Sequence, residues 1–224
     1  MPLTPTMKPL LVVFKAREIP QFLEALGKIQ CDKLIMEYYP QEEAYFESRK
    51  WFLEHKEYTH FIIIPDDLVV TPEVFDLIAY APDFPSISGW CNNTALKTEN
   101  KVPFDAPDVD TNISRYSPPG EPKRGRYAEY RWMTIAEAEK LQKQGIIGLS
   151  VLHQGFALTR LSRELVEQIP FRSAEGCCID TCLSIDLLKA RIPQYVDMRA
   201  RCFHIAYQYS QINVGIKPKI MITP

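Results

Sequence analysis

The chain has 224 residues, of which 46% are hydrophobic and 24% are charged, and its formal net charge is −2. This length supports one domain with a single sizeable core, and the apolar content is too high for an intrinsically disordered chain. The near-neutral charge argues against a protein that binds nucleic acid through bulk positive charge, so we expect no nucleic-acid partner. No apolar run is long enough to span a bilayer, and the first ten residues lack a secretion signal, which predicts a cytoplasmic protein without a transmembrane segment.

The first 90 residues alternate between strand and helix patterns. Short apolar runs predict strands, and apolar residues at helical spacing predict helices. In chain order the predicted elements are a strand at 10–14, a helix carrying Phe22, Leu23, Leu26 and Ile29, a strand at 33–37, a helix at 41–56, a strand at 60–64, a helix that begins at Thr71-Pro72-Glu73, and a strand at 85–90. Strands that alternate with crossover helices form a parallel sheet, so the pattern predicts an α/β fold.

The alternation of strand and helix patterns stops at about 92–130, a segment that is rich in Pro, Asp, Asn and Tyr and has no apolar period. Long irregular loops in compact domains are usually functional or disordered, and we expect this one to cover the acceptor side of a site. Beyond it, the predicted elements are a helix with a capping box at Thr134 and Glu137 that stops at Gly145, strand character at 146–159, a helix capped by Ser162, a helix at 180–190, and strands at 195–197 and 201–205.

Two neighbouring carboxylates, Asp66 and Asp67, follow the most apolar predicted strand of the chain. Ligands of open α/β sheets bind at the carboxyl ends of strands. Adjacent carboxylates repel each other, so the pair needs a cation or a donor-rich loop to offset its charge. Oxygen ligands suit Mg²⁺ or Mn²⁺, and we favour a metal over a solvated turn because Thr71 already caps the next helix.

The segment from Phe61 to Glu73, with its acid pair between an apolar strand and a Thr-Pro-Glu helix start, resembles the Asp-x-Asp segment of GT-A nucleotide-sugar glycosyltransferases. Three later segments are similar to motifs of that family in the same order: Gln154–Arg160 to its Gly-Phe-x-Leu-x-Arg acceptor segment, Ile179–Leu183 to its Glu-Asp-x-x-Leu motif, and Phe203-His204 to its late histidine. The resemblance covers most of the chain apart from 92–130. It implies a single Rossmann-like GT-A domain over residues 1–224, with a mixed, mostly parallel central sheet and helices on both faces.

The resemblance also implies roles for individual residues. Asp67, Asp66 and His204 match metal ligands for Mn²⁺ or Mg²⁺, and it stays open which of the two aspartates is the main ligand. Asp180 matches the catalytic base, although a residue at that position could also simply cap the helix. Donor-binding positions are Lys15, Arg17 and Glu37, and acceptor-binding positions in the matched segment are Gln154 and Gly155. Trp90 is a further acceptor candidate that does not depend on the resemblance: its aromatic ring with one polar edge suits a sugar face, although ordinary packing explains the residue equally well.

The implied function is a metal-dependent glycosyltransferase. It would move a sugar from a nucleotide-diphosphate donor to a hydroxyl of a carbohydrate or another acceptor, with inversion as the expected outcome and retention still open. Two alternatives remain: a metal-dependent nucleotidyltransferase or phosphotransferase that uses the acid pair alone, and a degenerate relative that binds sugar or nucleotide without turnover. Pro65 and Ile179, which stand where the family has acids, keep the second alternative open. The sequence predicts no particular oligomeric state.

Overall fold

The computed structural model describes residues 7–93, 109–116, 130–174, 177–205 and 217–224. The helices in these ranges are α1 (Pro20–Lys28), α2 (Gln41–Glu54), α3 (Pro72–Ala79), α4 (Ile135–Lys143), α5 (Arg163–Gln168) and α6 (Ile179–Lys189). The strands in these ranges are β1 (Pro9–Lys15), β2 (Lys33–Glu37), β3 (His60–Pro65), β4 (Leu68–Val69), β5 (Ser86–Trp90), β6 (Asp110–Tyr116), β7 (Tyr130–Thr134), β8 (Leu149–Val151), β9 (His153–Gln154), β10 (Thr159–Ser162), β11 (Gln194–Arg201), β12 (Phe203–His204) and β13 (Lys219–Thr223). None of the described helices has both the length and the apolar character that crossing a membrane requires.

Eight strands form one mixed sheet in the order β13-β2-β1-β3-β10-β5-β11-β8. Strands β1, β2, β3, β5 and β11 run in one direction, whereas β8, β10 and β13 run in the other. The predicted α/β fold with a mixed sheet is therefore confirmed. Most strands of the sheet run in the same direction. Parallel pairs are nevertheless not the majority, because each of the three reversed strands pairs antiparallel with its neighbours.

The two faces of this sheet are both covered by helices, which explains the continuous apolar runs of its central strands. Leu11 and Val13 of β1 pack in one buried cluster with α1 and α3. Leu10 and Val12 point to the opposite face and pack in a second cluster with α2, α5 and α6. Each of these four side chains is fully buried, and such burial contributes roughly 1.5–3 kcal/mol per side chain.

Several helix boundaries follow from local capping, as predicted. The hydroxyl of Thr71 accepts a hydrogen bond from the backbone N–H of Val74, and Thr134 forms the expected capping box with Glu137. The hydroxyl of Ser162 accepts from the N–H of Leu165. Caps of this kind stabilise a helix by about 1 kcal/mol each.

The segment at 92–130 is not irregular throughout. It contains β6, which pairs with β7 and β9 in a three-stranded antiparallel sheet. The strand lacks an apolar period because three of its buried residues, Thr111, Asn112 and Ser114, are polar. Residues 94–108 and 117–129 lie outside the described residues, and with them most of the predicted cover over the acceptor side.

Candidate functional site

Two loops meet at one edge of the sheet because β1 and β3 are parallel neighbours. Phe14 near the end of β1 pairs with Pro65 at the end of β3. The residues that follow each strand, Ala16 and Arg17 after β1 and the acid pair after β3, therefore lie side by side. This is the carboxyl edge at which the sequence predicted a ligand site.

Asp66 holds the loop after β1 in place through hydrogen bonds. Its side chain is 2% exposed, and its Oδ2 accepts hydrogen bonds from the backbone N–H groups of Ala16 at 2.8 Å and Arg17 at 2.7 Å. Its Oδ1 accepts from Nε of Arg17 at 3.1 Å and also from Nη2. A donor-rich loop thus offsets this charge. The structure does not support Asp66 as a metal ligand, because both of its oxygens already bind the loop.

Asp67 lies beside His204, far away in sequence, because β12 pairs antiparallel with β4. The Oδ2 of Asp67 is 3.5 Å from Nε2 of His204 and accepts a hydrogen bond from Nη2 of Arg17 at 2.9 Å. Nδ1 of His204 is 3.1 Å from the carbonyl oxygen of Asn92. A carbonyl can only accept, so Nδ1 donates in this contact, and Nε2 faces Asp67.

The Asp67–His204 contact shifts the pKa values of both groups. Burial alone would raise the pKa of Asp67, but the bond to His204, and then Arg17, hold that pKa below its usual range. Burial alone would lower the pKa of His204, but the carboxylate of Asp67 raises it above its usual value. Each group thus favours the charged form of the other.

The spacing of the two facing atoms of this pair is one that a shared divalent cation would accept. An octahedral ion with bonds of about 2.1 Å places neighbouring ligand atoms roughly 3 Å apart, close to the 3.5 Å between the two facing atoms. Within the described ranges no group of three or more His, Cys, Asp or Glu side chains could hold a metal. Asp67 and His204 supply two ligand atoms, so a cation bound between them would need phosphate oxygens and water to complete its coordination, which Mg²⁺ and Mn²⁺ accept.

Two clefts adjoin this pair. The larger, of about 360 Å³, lies at the ends of β1 and β2 and at the start of α2, and its wall includes Phe14, Lys15, Arg17, Tyr39, Tyr45 and Asp67. The smaller, of about 180 Å³, is lined by Asn112, His153, Gly155, Phe156, Asp180 and His204. Because Asp67 lines the first and His204 the second, the pair stands where the two clefts meet.

Asp180 lies in the first turn of α6 and lines the smaller cleft. Its Oδ1 accepts hydrogen bonds from the N–H of Thr181 at 2.7 Å and from Sγ of Cys178 at 2.6 Å. The N-cap of α6 is Cys178, so Asp180 is not the capping residue. A Cβ at Gly155 would lie 3.2 Å from Cβ of Asn112 and 3.6 Å from Oδ2 of Asp180, so it would crowd Asn112 and be in contact with the carboxylate.

The three predicted donor-binding residues divide into two that line the larger cleft and one that supports it. Lys15 and Arg17 line the cleft. Glu37 is 8% exposed, and its Oε1 accepts a hydrogen bond from Nζ of Lys15 at 2.6 Å. The structure gives Glu37 the role of holding Lys15 at the cleft wall rather than that of contacting a base.

Two of the three predicted acceptor residues belong to the core. Trp90 is fully buried, and its Nε1 donates to the carbonyl of Met198 at 2.8 Å. Gln154 is 2% exposed, and its amide donates to the hydroxyl of Ser86. Neither side chain can contact an acceptor, so these two predictions are corrected, while Gly155 does line the smaller cleft.

Asn112 lines the smaller cleft and is a site residue that the sequence did not predict. Its Oδ1 accepts a hydrogen bond from the N–H of Cys91 at 2.8 Å, and its Nδ2 donates to the carbonyl of Gly155 at 3.0 Å. It therefore fixes the segment around Gly155 against the end of β5. The sequence carried no signal for this role, because an asparagine in a segment without apolar period is typical of a loop.

Comparisons with known proteins support the fold alone. No family model matches the sequence, and no curated protein matches it. Among solved structures, A197 from STIV is similar to this chain, with 13% sequence identity and a TM-score of 0.51. The similarity covers 94% of this chain and 100% of A197, which agrees with one mixed α/β fold along most of the sequence.

Proposed function

We propose that this chain is a GT-A glycosyltransferase that moves a sugar from a nucleotide-diphosphate donor to an acceptor hydroxyl with the help of Mn²⁺ or Mg²⁺. The observation that carries the proposal is the Asp67–His204 pair at the junction of two clefts. Glycosyl transfer needs such a divided site, with the leaving diphosphate on one side and the acceptor on the other. In this scheme the bond between sugar and diphosphate breaks beside the pair.

The larger cleft has the chemistry that a nucleotide donor requires. The rings of Phe14, Tyr39 and Tyr45 offer apolar surface to a planar base, and Lys15 and Arg17 place positive charge at its wall. A divalent cation bound by Asp67 and His204 would stabilise the negative charge of the leaving diphosphate. The carbonyl of Asn92 holds the imidazole in the orientation that keeps Nε2 towards Asp67.

Asp180 supplies the base on the acceptor side of this scheme. Hydrogen bonds to its Oδ1 fix the carboxylate, and its Oδ2 lies next to Gly155 in the smaller cleft. Oδ2 takes the proton of an acceptor hydroxyl as that oxygen attacks the anomeric carbon and the bond to the diphosphate breaks. Attack from the cleft opposite the leaving group predicts inversion.

A thermal-shift experiment with a panel of nucleoside diphosphates, with and without Mn²⁺, tests the proposal. A ligand at a hundredfold excess over its dissociation constant stabilises a protein by about 2.7 kcal/mol. We expect some of the panel to raise the unfolding midpoint only with Mn²⁺. Asp67→Asn should remove that rise, and Asp76→Asn, which changes an exposed carboxylate on α3, should keep it. The absence of any nucleoside diphosphate effect would contradict the proposal.

One observation favours a second candidate function, a sugar- or nucleotide-binding protein without turnover. Arg17 and His204 already compensate the charge of the acid pair. Calorimetry that finds donor binding together with no transfer and no donor hydrolysis would support this candidate. A nucleotidyltransferase or phosphotransferase has no comparable observation in its favour among the described residues, and activity on nucleoside triphosphates would indicate it.

A further inference from the structure

The guanidinium of Arg17 lies at the same carboxylate oxygen that faces His204. Its Nη2 donates to Oδ2 of Asp67 at 2.9 Å, and that oxygen is 3.5 Å from Nε2 of His204. We propose that Arg17 is a built-in counter-cation that competes with the divalent cation for Asp67 and turns to the diphosphate when the cation binds. This inference rests on the proposed function, because it assumes a cation at Asp67.

Asp66 keeps Arg17 in position, while the contact between Arg17 and Asp67 is free to break. The side chain is tied to Oδ1 of Asp66 through Nε, at 3.1 Å, and through Nη2. The backbone N–H of Arg17 is tied to Oδ2 of the same residue at 2.7 Å. Only the Nη2 contact joins Arg17 to Asp67, so this contact can break while the bonds to Asp66 keep the guanidinium at the cleft wall.

The charges of the cluster explain why the two cations compete. The guanidinium of Arg17 touches both carboxylates, Asp66 and Asp67, so it is the positive charge that offsets the acid pair without a divalent cation. A cation bound to Oδ2 of Asp67 would share that oxygen with Nη2 of Arg17, and like charges in a half-buried site repel each other strongly.

Once the guanidinium of Arg17 leaves Asp67, the diphosphate is the group that it would bind. Arg17 lines the larger cleft next to Lys15, and a planar guanidinium binds phosphate through paired donors. A diphosphate that draws Arg17 away from Asp67 frees this carboxylate for the cation. Coupling between two ligands is reciprocal, so Arg17 makes each of them strengthen the binding of the other.

Calorimetric titration of the full chain with Mn²⁺, with and without a nucleoside diphosphate, tests this inference. Coupling between ligands is typically 5- to 150-fold, so Arg17→Gln should bind Mn²⁺ alone about tenfold more tightly. The factor by which the nucleoside diphosphate strengthens Mn²⁺ binding should fall by a similar amount. Arg17→Lys keeps the positive charge but not the paired bonds to Asp66, so its Mn²⁺ affinity should lie between those of the wild type and Arg17→Gln. Lys28→Gln, which removes an exposed cation on α1, is the matched control and should change nothing.

A measurement on the unaltered protein covers the case in which Arg17→Gln does not fold. The side-chain nitrogen signals of Arg17 in an NMR spectrum should shift when Mg²⁺ is added. Those of Arg172, which binds Asp186 through Nε at 2.6 Å and Nη2 at 2.8 Å, should stay in place.

The outcomes separate this inference from the proposed function. If Arg17→Gln binds Mn²⁺ as the wild type does, or more weakly, Arg17 does not compete and the inference is overturned while the proposed function stands. An Arg17 signal that does not respond to bound Mg²⁺ would overturn the inference in the same way. If the wild type binds neither Mn²⁺ nor a nucleoside diphosphate, the proposed function fails and the inference fails with it.

Discussion

Replacing Asp180 by Asn removes the proposed proton acceptor and leaves the local structure in place. The amide oxygen of Asn can still accept from the N–H of Thr181, which binds Oδ1 of Asp180 at 2.7 Å. Proton transfer by a positioned base contributes roughly 10²- to 10⁴-fold to a rate, so we expect kcat for sugar transfer to fall by that factor. Nucleoside diphosphate affinity should not change, because Asp180 lines the smaller cleft and not the donor cleft. Release of nucleoside diphosphate in the presence of acceptor measures the rate.

Asp186→Asn is the matched control because it makes the same change of charge on the same helix. Asp186 binds Arg172 and lies outside both clefts that flank the Asp67–His204 pair. We expect a rate close to that of the wild type and a loss of stability of at most about 1 kcal/mol. Transfer by Asp180→Asn at the wild-type rate would refute the assignment of the base, and the expected inversion with it.

Two further predictions concern stability. The buried guanidinium of Arg160 donates to the carbonyls of Ala81 at 2.8 Å and Pro82 at 3.0 Å, so Arg160→Met should lower the free energy of unfolding by about 3 kcal/mol in urea titrations, with nucleotide binding retained. Lost binding at unchanged stability would contradict this structural role. Burial lowers the pKa of His60 to about 4, below the ordinary 6.5, so stability is lost as the pH falls from about 6.5 to 4. Over this pH range we expect His60→Gln to lose about 2 kcal/mol less unfolding free energy than the wild type, a figure reduced for the partial exposure of His60. Equal losses in the two proteins would contradict this prediction.

Local signals predicted most elements of the fold but not their arrangement. The apolar run His60–Ile64 and the Thr71-Pro72 helix start each depend on neighbouring residues alone, and both appear where expected. The position of β10 between β3 and β5 depends on contacts between distant segments, which no short pattern encodes. The edge strand β13, in which Ile220 and Ile222 are exposed, likewise depends on a distant segment, because it pairs with β2 near the start of the chain.

The candidate site was predicted only in part, again because a local pattern does not encode contacts between distant segments. Asp67 could be placed at a strand end from the sequence, because the position of a strand end is a local property. That Arg17 neutralises Asp66 could not be predicted, because it depends on β1 and β3 being neighbours. Trp90 was assigned to the acceptor because aromatic rings suit sugars, but all five residues of β5 are buried. This burial results from the packing on both faces of the sheet, which the sequence of β5 alone does not indicate.

The position of a bound cation tests the central claim most directly. Crystals of the chain grown with a nucleoside diphosphate and Mn²⁺ can be measured for the anomalous scattering of manganese. We expect one peak within about 2.3 Å of a carboxylate oxygen of Asp67 and of Nε2 of His204, in contact with the diphosphate. A manganese peak elsewhere, or a diphosphate bound away from these two residues, would contradict the account.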